Sequence, residues 1–207
     1  MQEPHYASAS VRNSEPIWGV LRDELADRNK LLEIGSGTGY HAVRFASELP
    51  HIEWQTSDLE ENHANIEQAI ASSGARNVLR PLALDVRSAT LPNHAYDAAY
   101  SCNTAHIMSF AAVQKMFALV GHALADGGLF CLYGPMKRNG QFNTTSNAEF
   151  DAALRGRDSH MGIRDLEDCD RFATDTGMLR LRVYAMPTNN LLVVWQKQQG
   201  ADLNDNP

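Results

Sequence analysis

One short stretch constrains this 207-residue chain more than any other: Glu33-Ile34-Gly35-Ser36-Gly37-Thr38-Gly39, set between an apolar run at 31–34 and a helical pattern at 40–48. Strand, glycine loop and helix in that order open a βαβ unit. The chain then repeats the alternation, with strand patterns at 52–58, 78–85, 96–103 and 129–133 and helical patterns at 59–73 and 110–124. Gly74 stops the first of these helices. In the second, Val113, Met116, Phe117 and Val120 recur at helical spacing, and Asp126-Gly127-Gly128 follows as a turn. Such alternation calls for a parallel sheet covered by helices on both faces. The C-terminal end differs. Strand-like runs at 179–186 and 191–196 are joined only by Pro187-Thr188-Asn189-Asn190, and so short a link forces an antiparallel pair. The expected fold is α/β and Rossmann-like: a seven-stranded, mostly parallel sheet closed by an antiparallel C-terminal hairpin.

Residues 1–200 are expected to form one domain. A segment at 1–14 precedes a helix that starts near Asn13 or Ser14, with Pro16 in its first turn. An insertion at 134–178 carries a capping-box pattern, Ser146-Asn147-Ala148-Glu149, opening a helix to Arg155. A further helix is expected at 165–176, and 200–207 reads as a disordered tail. No apolar run approaches the roughly 20 residues of a membrane helix, and the N-terminus lacks a basic start and an apolar stretch. A cytoplasmic protein without membrane attachment is expected. The formal charge of -7 disfavours nucleic acid as a partner. Cys102, Cys131 and Cys169 are dispersed, with no metal-ligand spacing, so neither a disulfide framework nor a metal site is expected. Cys131, inside an apolar run, reads as a small core residue.

The glycine loop carries the chemical signal. A dinucleotide fingerprint runs G-x-G-x-x-G and seats a pyrophosphate at a helix N-terminus. Here the spacing is G-x-G-x-G, and Tyr40 stands at the third-glycine position. S-adenosylmethionine has no phosphate to cradle, but needs close backbone approach, which Gly35, Ser36, Gly37, Thr38 and Gly39 supply. Glu33 suits its sulfonium and ammonium, directly or through water. The terminal hairpin is likewise the class I methyltransferase layout rather than that of a dehydrogenase. Asp58, with Leu59 beside it, ends the second strand where an acid accepts hydrogen bonds from a ribose, although a helix cap is the alternative. Asp85 and Val86 follow as the adenine edge, a solvated loop acid being the alternative for Asp85. At the end of the fourth strand Asn103, Thr104 and His106 are expected to face the reacting group. His106 is a candidate general base or a structural histidine. Tyr133, ending the fifth strand, either points its hydroxyl at substrate or is a buried tyrosine satisfying it.

These residues resemble a family of class I methyltransferase-like proteins catalogued as a domain of unknown function, from about Tyr6 to Lys197. The resemblance is carried by the glycine loop with His41 and Ala42, by 9–16, by Trp54-Gln55-Thr56-Ser57-Asp58, and by Asn103-Thr104-Ala105-His106-Ile107. Leu132-Tyr133-Gly134-Pro135, Ser146 to Asp151 and Gly162-Ile163-Arg164-Asp165 add to it. It implies that the glycine loop, Asp58 and the Asp85-Val86 edge bind S-adenosylmethionine. It further implies that Arg12 and Asn13 fold over the cofactor, with Arg12 on its carboxylate; helix capping is the alternative for Asn13. Asn147, Phe150, Arg164 and Asp165 look like a substrate lid, or its packing. Where the family pattern runs Asn-Met-Ile-His-Ile-Ser-Pro-Trp, this chain has Asn103-Thr104-Ala105-His106-Ile107-Met108-Ser109-Phe110, a departure that bears on the acceptor.

The expected activity is methyl transfer from S-adenosylmethionine to a small-molecule acceptor by in-line displacement, with Asn103 orienting and His106 or Tyr133 available as base. The alternatives are intramolecular closure of the cofactor, which releases methylthioadenosine and azetidine-2-carboxylate, and non-catalytic binding of the cofactor. A homodimer is left open.

Overall fold

The structure is a computed structural model that describes residues 8–200. The expectations for 1–7 and for 201–207 lie outside the described residues.

Strand β1 (Lys30–Ile34) is the centre of the molecule, exposed at its first residue and buried thereafter. It pairs in parallel with β2 (Glu53–Asp58) on one side and with β4 (Tyr96–Cys102) on the other. β3 (Val78–Ala83) lies beyond β2, and β5 (Leu124–Lys137) beyond β4. Antiparallel β8 (Asn190–Lys197) and β7 (Met178–Met186) complete the order β3-β2-β1-β4-β5-β8-β7. Tyr133 on β5 faces Leu192 on β8 in that antiparallel register. The seven-stranded sheet and the terminal hairpin are as expected. One strand was not: β6 (Arg164–Asp165) pairs with Met136 and Lys137 at the end of β5.

Each face of the sheet has its own core, because alternate strand residues point to opposite faces. Leu32 and Ile34 join Val113, Met116, Phe117 and Val120 of α4 (Phe110–Ala123) and Phe172 of α6 (Leu166–Thr174). Leu31 joins Ile17, Leu21 and Leu25 with Phe45 on the opposite face, beneath α1 (Ser8–Glu24) and α2 (Tyr40–Ala46). On the first face Trp195 packs edge-on to Phe117; on the second Trp54 and Tyr100 meet edge-on. Cys131 is a free, buried thiol, as its apolar neighbours implied.

Several expected boundaries move. Helix α1 is formed from Ser8, not from Asn13 or Ser14, so Pro16 lies well inside it and Asn13 is a buried interior residue rather than a cap. Proline cannot donate to the carbonyl one turn back. Here the buried Ile17 and Leu21 anchor the helix after Pro16, and the buried Asn13 and Ser14 with the His41 bond to the Ser10 carbonyl anchor it before. Strand β3 stops at Ala83, which leaves Asp85 in the following loop. Strand β5 runs from Leu124 to Lys137, absorbing the expected turn: pairing with β4 slips between Tyr96↔Leu124 and Ala98↔Leu129, so 125–128 form a bulge. Helix α5 (Thr145–Arg157) is capped by Thr144, whose hydroxyl accepts the Asn147 N–H; Ser146 is already inside the helix. Asp165 caps α6 in the same manner, accepting from the Glu167 N–H.

Candidate functional site

The strand order reverses across β1 and β4, and the crevice beyond the carboxyl ends of such strands is where open α/β sheets bind ligands. The glycine loop leaves β1 at that point. Its Gly35 and Ser36 N–H groups both donate to the Ser57 carbonyl at the end of β2, at 3.0 and 2.9 Å. Gly35, Gly37 and Gly39 all have positive φ (73°, 58° and 74°). Their reasons for lacking a side chain differ. A Cβ on Gly35 would stand 2.5 Å from the Thr104 methyl, and one on Gly39 would stand 3.0 Å from the Ala69 Cβ and 3.2 Å from the Ile66 Cα of α3 (His63–Ser73). A Cβ on Gly37 would meet nothing within 4 Å. Packing therefore demands the first and third glycines, whereas the second leaves open space on the cavity wall. Gly39→Ala adds overpacking of about 1–3 kcal/mol to the roughly 1–2 kcal/mol of the left-handed backbone, and Gly37→Ala carries only the latter. Thermal melts should show the Gly39 variant losing at least twice as much as the Gly37 variant; equal losses would contradict this division.

Asp58 ties the loop to the second strand. One carboxylate oxygen accepts the Gly37 N–H at 2.7 Å, and the other accepts the Leu59 N–H and the Asn62 amide. Glu33 lies deeper, 2 % exposed, accepting from the Ser36 hydroxyl at 2.9 Å and the Trp54 indole N–H at 3.1 Å. Burial raises its pKa to about 7, against those two hydrogen bonds and with a smaller push from the Asp58 charge.

His41, whose place in the site sequence reasoning missed, clips α1 to this region. Its Nε2–H donates to the Ser10 carbonyl at 3.0 Å, which leaves Nδ1 to accept from the Tyr100 hydroxyl at 3.2 Å. Burial lowers its pKa to about 4, so the ring is neutral at physiological pH. A histidine on the first turn after the glycine loop was visible in the sequence; its partner, 59 positions away, was not.

Two cavities open here. The larger, about 1110 Å³, is lined by Gly35 to Thr38 of the loop together with Glu33, Asp58 and Leu59, and by Asp85, Val86 and Asn103. Gly39 lies outside it, consistent with its packing role. Asp85 is gripped by Arg87 on both oxygens, which holds its carboxyl down at about 2. The smaller cavity, about 610 Å³, is lined by Arg12, Asn13, His106, Asn147, Phe150 and Asn190, among others. Ala9 and Asn103 line both. Asn103 takes φ 59°, a conformation asparagine tolerates better than most residues, and its N–H donates to the Tyr133 carbonyl.

The sequence candidates thus divide between two adjoining chambers. Arg12 and Asn13 stand in the smaller one, apart from the glycine loop. His106 is there too, 7 % exposed, its ring edge-on to Phe150 at 5.4 Å. Burial, and secondarily the Arg164 charge, lower its pKa to about 4. Tyr133 lines neither cavity. Its hydroxyl accepts from the Asn190 amide at 3.0 Å, and burial pushes it up to about 12. Of the four insertion residues, Asn147 and Phe150 line the smaller cavity, while Arg164 and Asp165 line neither. Arg164 donates to the carbonyls of Ala105, Met108 and His160. Asn189 and Asn190, at the hairpin turn, are cavity residues that sequence reasoning did not single out.

The fold is that of solved class I methyltransferases. It is similar to the S-adenosylmethionine-dependent methyltransferase SibL in its apo form (TM-score 0.78, 17% identity, 92% of this chain and 56% of that one). It is similar to PigF with SAH (TM-score 0.75, 18% identity, 91% and 63%). A third likeness is to an O-methyltransferase family 2 protein from Planctomyces limnophilus DSM 3776 in complex with apigenin (TM-score 0.71, 16% identity, 82% and 51%). The chain therefore spans less than two thirds of each. No helix among the described residues is long and apolar enough to cross a membrane. Residues 4–197 match the family described as protein of unknown function (DUF938), and the chain belongs to that family.

Proposed function

We propose that this protein transfers the methyl group of S-adenosylmethionine to a small molecule held in the second cavity. The observation that carries this reading is a pair of adjoining chambers that share Ala9 and Asn103 on their walls, with the glycine loop and its acids walling only the larger. The residues fit the cofactor. Gly37 has open space where a side chain would stand, so a ligand can approach the backbone. Glu33 and Asp58 give the larger cavity an acidic wall suited to a cationic ligand, whereas Asp85 is paired with Arg87 on the same wall. When bound, S-adenosylmethionine supplies a methyl group already activated by its sulfonium. Asp58 has lone pairs left for ribose hydroxyls after accepting the Gly37 N–H on one oxygen. Val86 offers an apolar edge to adenine. Two fold relatives, one with SAH and one in complex with apigenin, support a nucleoside thioether and a small aromatic as the ligand types.

Asn103, on both walls, orients the acceptor. His106 stays neutral at physiological pH and serves as a hydrogen-bonding partner, since an imidazole titrating near 4 is a weak base at pH 7. Tyr133 acts as a positioning residue through Asn190. A separate second chamber favours transfer to another molecule over closure of the cofactor on itself, which needs no acceptor site.

The test is thermal stabilisation by S-adenosylmethionine, S-adenosylhomocysteine, methylthioadenosine and NAD. A ligand at 100 times its Kd adds about 2.7 kcal/mol, some 5–10 °C for a chain of this size. The expected result is a shift with the first two, abolished in Asp58→Ala and weakened at least tenfold in affinity in Gly37→Ala, which remains folded. Turnover should release S-adenosylhomocysteine. A shift with NAD alone would sink the reading, and methylthioadenosine as product would replace transfer by cyclisation.

A further inference from the structure

The smaller cavity is chemically unlike the larger one. No carboxylate stands among its lining residues, in a chain whose formal charge is -7, and its single formal charge is the Arg12 guanidinium. Most cationic side chains nearby are engaged elsewhere: Arg155 pairs with Asp151, Arg182 with Glu24, and Arg164 with three carbonyls. Arg12 has no carboxylate partner and no hydrogen bond among the described residues.

The asparagines on the wall divide in the same way. Asn147 gives its amide hydrogens to the Asn143 side chain and the Asn189 carbonyl. Asn190 spends its own on Tyr133, Pro187 and Thr188. These two build the wall. Asn13, buried to 8 % exposure, and Asn103 make no side-chain hydrogen bond with any described residue. Three side chains with no hydrogen bond among the described residues, Arg12, Asn13 and Asn103, thus line one chamber together with the apolar Phe150 and Pro135.

We propose that the acceptor is a small carboxylate with an aromatic or otherwise flat unsaturated body, its carboxylate held by Arg12 and Asn13 and its body lying against Phe150. This deepens the methyl-transfer reading and rests on it. A planar guanidinium matches a carboxylate through two parallel hydrogen bonds, and an adjacent amide N–H adds a third donor. A volume of about 610 Å³ suits a ligand of that size. Arg12 is thereby assigned to the acceptor and not to the cofactor's carboxylate, because it lines the acceptor chamber alone, while Ser10 and His41 hold the corresponding place on the larger cavity.

Calorimetry on the protein saturated with S-adenosylhomocysteine tests this. The probes are a panel of hydroxybenzoates and hydroxycinnamates, each paired with its uncharged carboxamide. At least one carboxylate should bind tenfold or more tightly than its amide. Arg12→Gln should erase that advantage, Arg12→Lys should keep part of it, and the affinity for S-adenosylhomocysteine should stay within twofold in both. Arg12 is exposed, so neither variant threatens the fold. The proposal is overturned if no carboxylate outbinds its amide. It is equally overturned if Arg12→Gln weakens S-adenosylhomocysteine while leaving the carboxylate advantage intact, which would return Arg12 to the cofactor. Failure of the parent to bind S-adenosylhomocysteine at all would instead remove the methyl-transfer reading, and this one with it.

Discussion

Arg164→Leu should melt roughly 10–15 °C below the parent and lose ligand binding in both cavities. Arg164 is 7 % exposed, and burial pulls its pKa below the ordinary guanidinium value. A buried cation is tolerable only when its hydrogens are all placed. Here Nε donates to the Ala105 carbonyl at 3.0 Å, and one terminal nitrogen donates to the carbonyls of Met108 and His160. Leucine fills part of the volume but leaves those three carbonyls without their donor. Each orphaned group costs about 1–3 kcal/mol, so a total near 3–5 kcal/mol is expected. A chain of this length loses about 2–4 °C per kcal/mol. The functional loss follows from what is pinned: Ile107 and Met108 line the larger cavity and His106 the smaller, on one loop. Arg164→Lys keeps the charge but offers one compact ammonium in place of the two nitrogens that serve three carbonyls, and should fall between leucine and the parent. A leucine variant melting within about 2 °C of the parent would show that the carbonyls find other donors and that the loop does not depend on Arg164.

What could be read from the chain, and what could not, follows from how local each signal is. Gly35, Gly37 and Gly39 advertise a left-handed backbone that few other residues adopt, so the loop was legible from seven letters. The antiparallel ending was legible because 187–190 is too short for a crossover. Asp58 was legible as the last residue of a strand. Pro16 misled: proline prefers the first helical turn, but packing on both sides of it, at Asn13 and Ser14 as well as Ile17 and Leu21, with the His41 bond to Ser10, carries the helix back to Ser8. The start of β5 misled in the opposite direction, since Asp126-Gly127-Gly128 spells a turn yet forms a bulge within a continuing strand. The smaller cavity has no local signature. Its walls come from α1, the loop after β4, α5 and the turn before β8, segments brought together only by the fold. Arg12 stood out only through the family resemblance, and the chamber it lines is set by long-range packing.

Glu33→Gln should stabilise the ligand-free protein at pH 8 by about 3 kcal/mol and leave it unchanged near pH 4.5. Burial raises the Glu33 carboxyl from 4.5 to about 7, which corresponds to about 3 kcal/mol. A group that binds its proton more tightly in the native state contributes stability that is full below its unfolded pKa and is lost as pH rises through its folded one. At pH 8 the parent therefore holds a buried, ionised carboxylate. Glutamine imitates the protonated form, its carbonyl taking the Ser36 and Trp54 donors. His41 and His106 act in the other direction. Burial lowers both from 6.5 to about 4, so their contribution is full above 6.5 and is lost as pH falls through 4. Between pH 4.5 and 6.5 the parent sets two such histidines against one glutamate, and acidification costs about 1.4 kcal/mol per pH unit. In the glutamine variant nothing opposes the histidines, and the slope doubles to about 2.7 kcal/mol per unit. The proposed function supplies a reason for the parent's arrangement. An ionised Glu33 on the wall of the larger cavity destabilises the empty protein and favours a cation, so the variant that melts higher should bind S-adenosylmethionine at least tenfold more weakly. Chemical-denaturation midpoints across pH 4.5–8, with and without that ligand, separate the two effects. Parallel profiles for parent and variant would mean that Glu33 holds its proton equally in the folded and unfolded chain, and the buried charge would then have no part in either stability or binding.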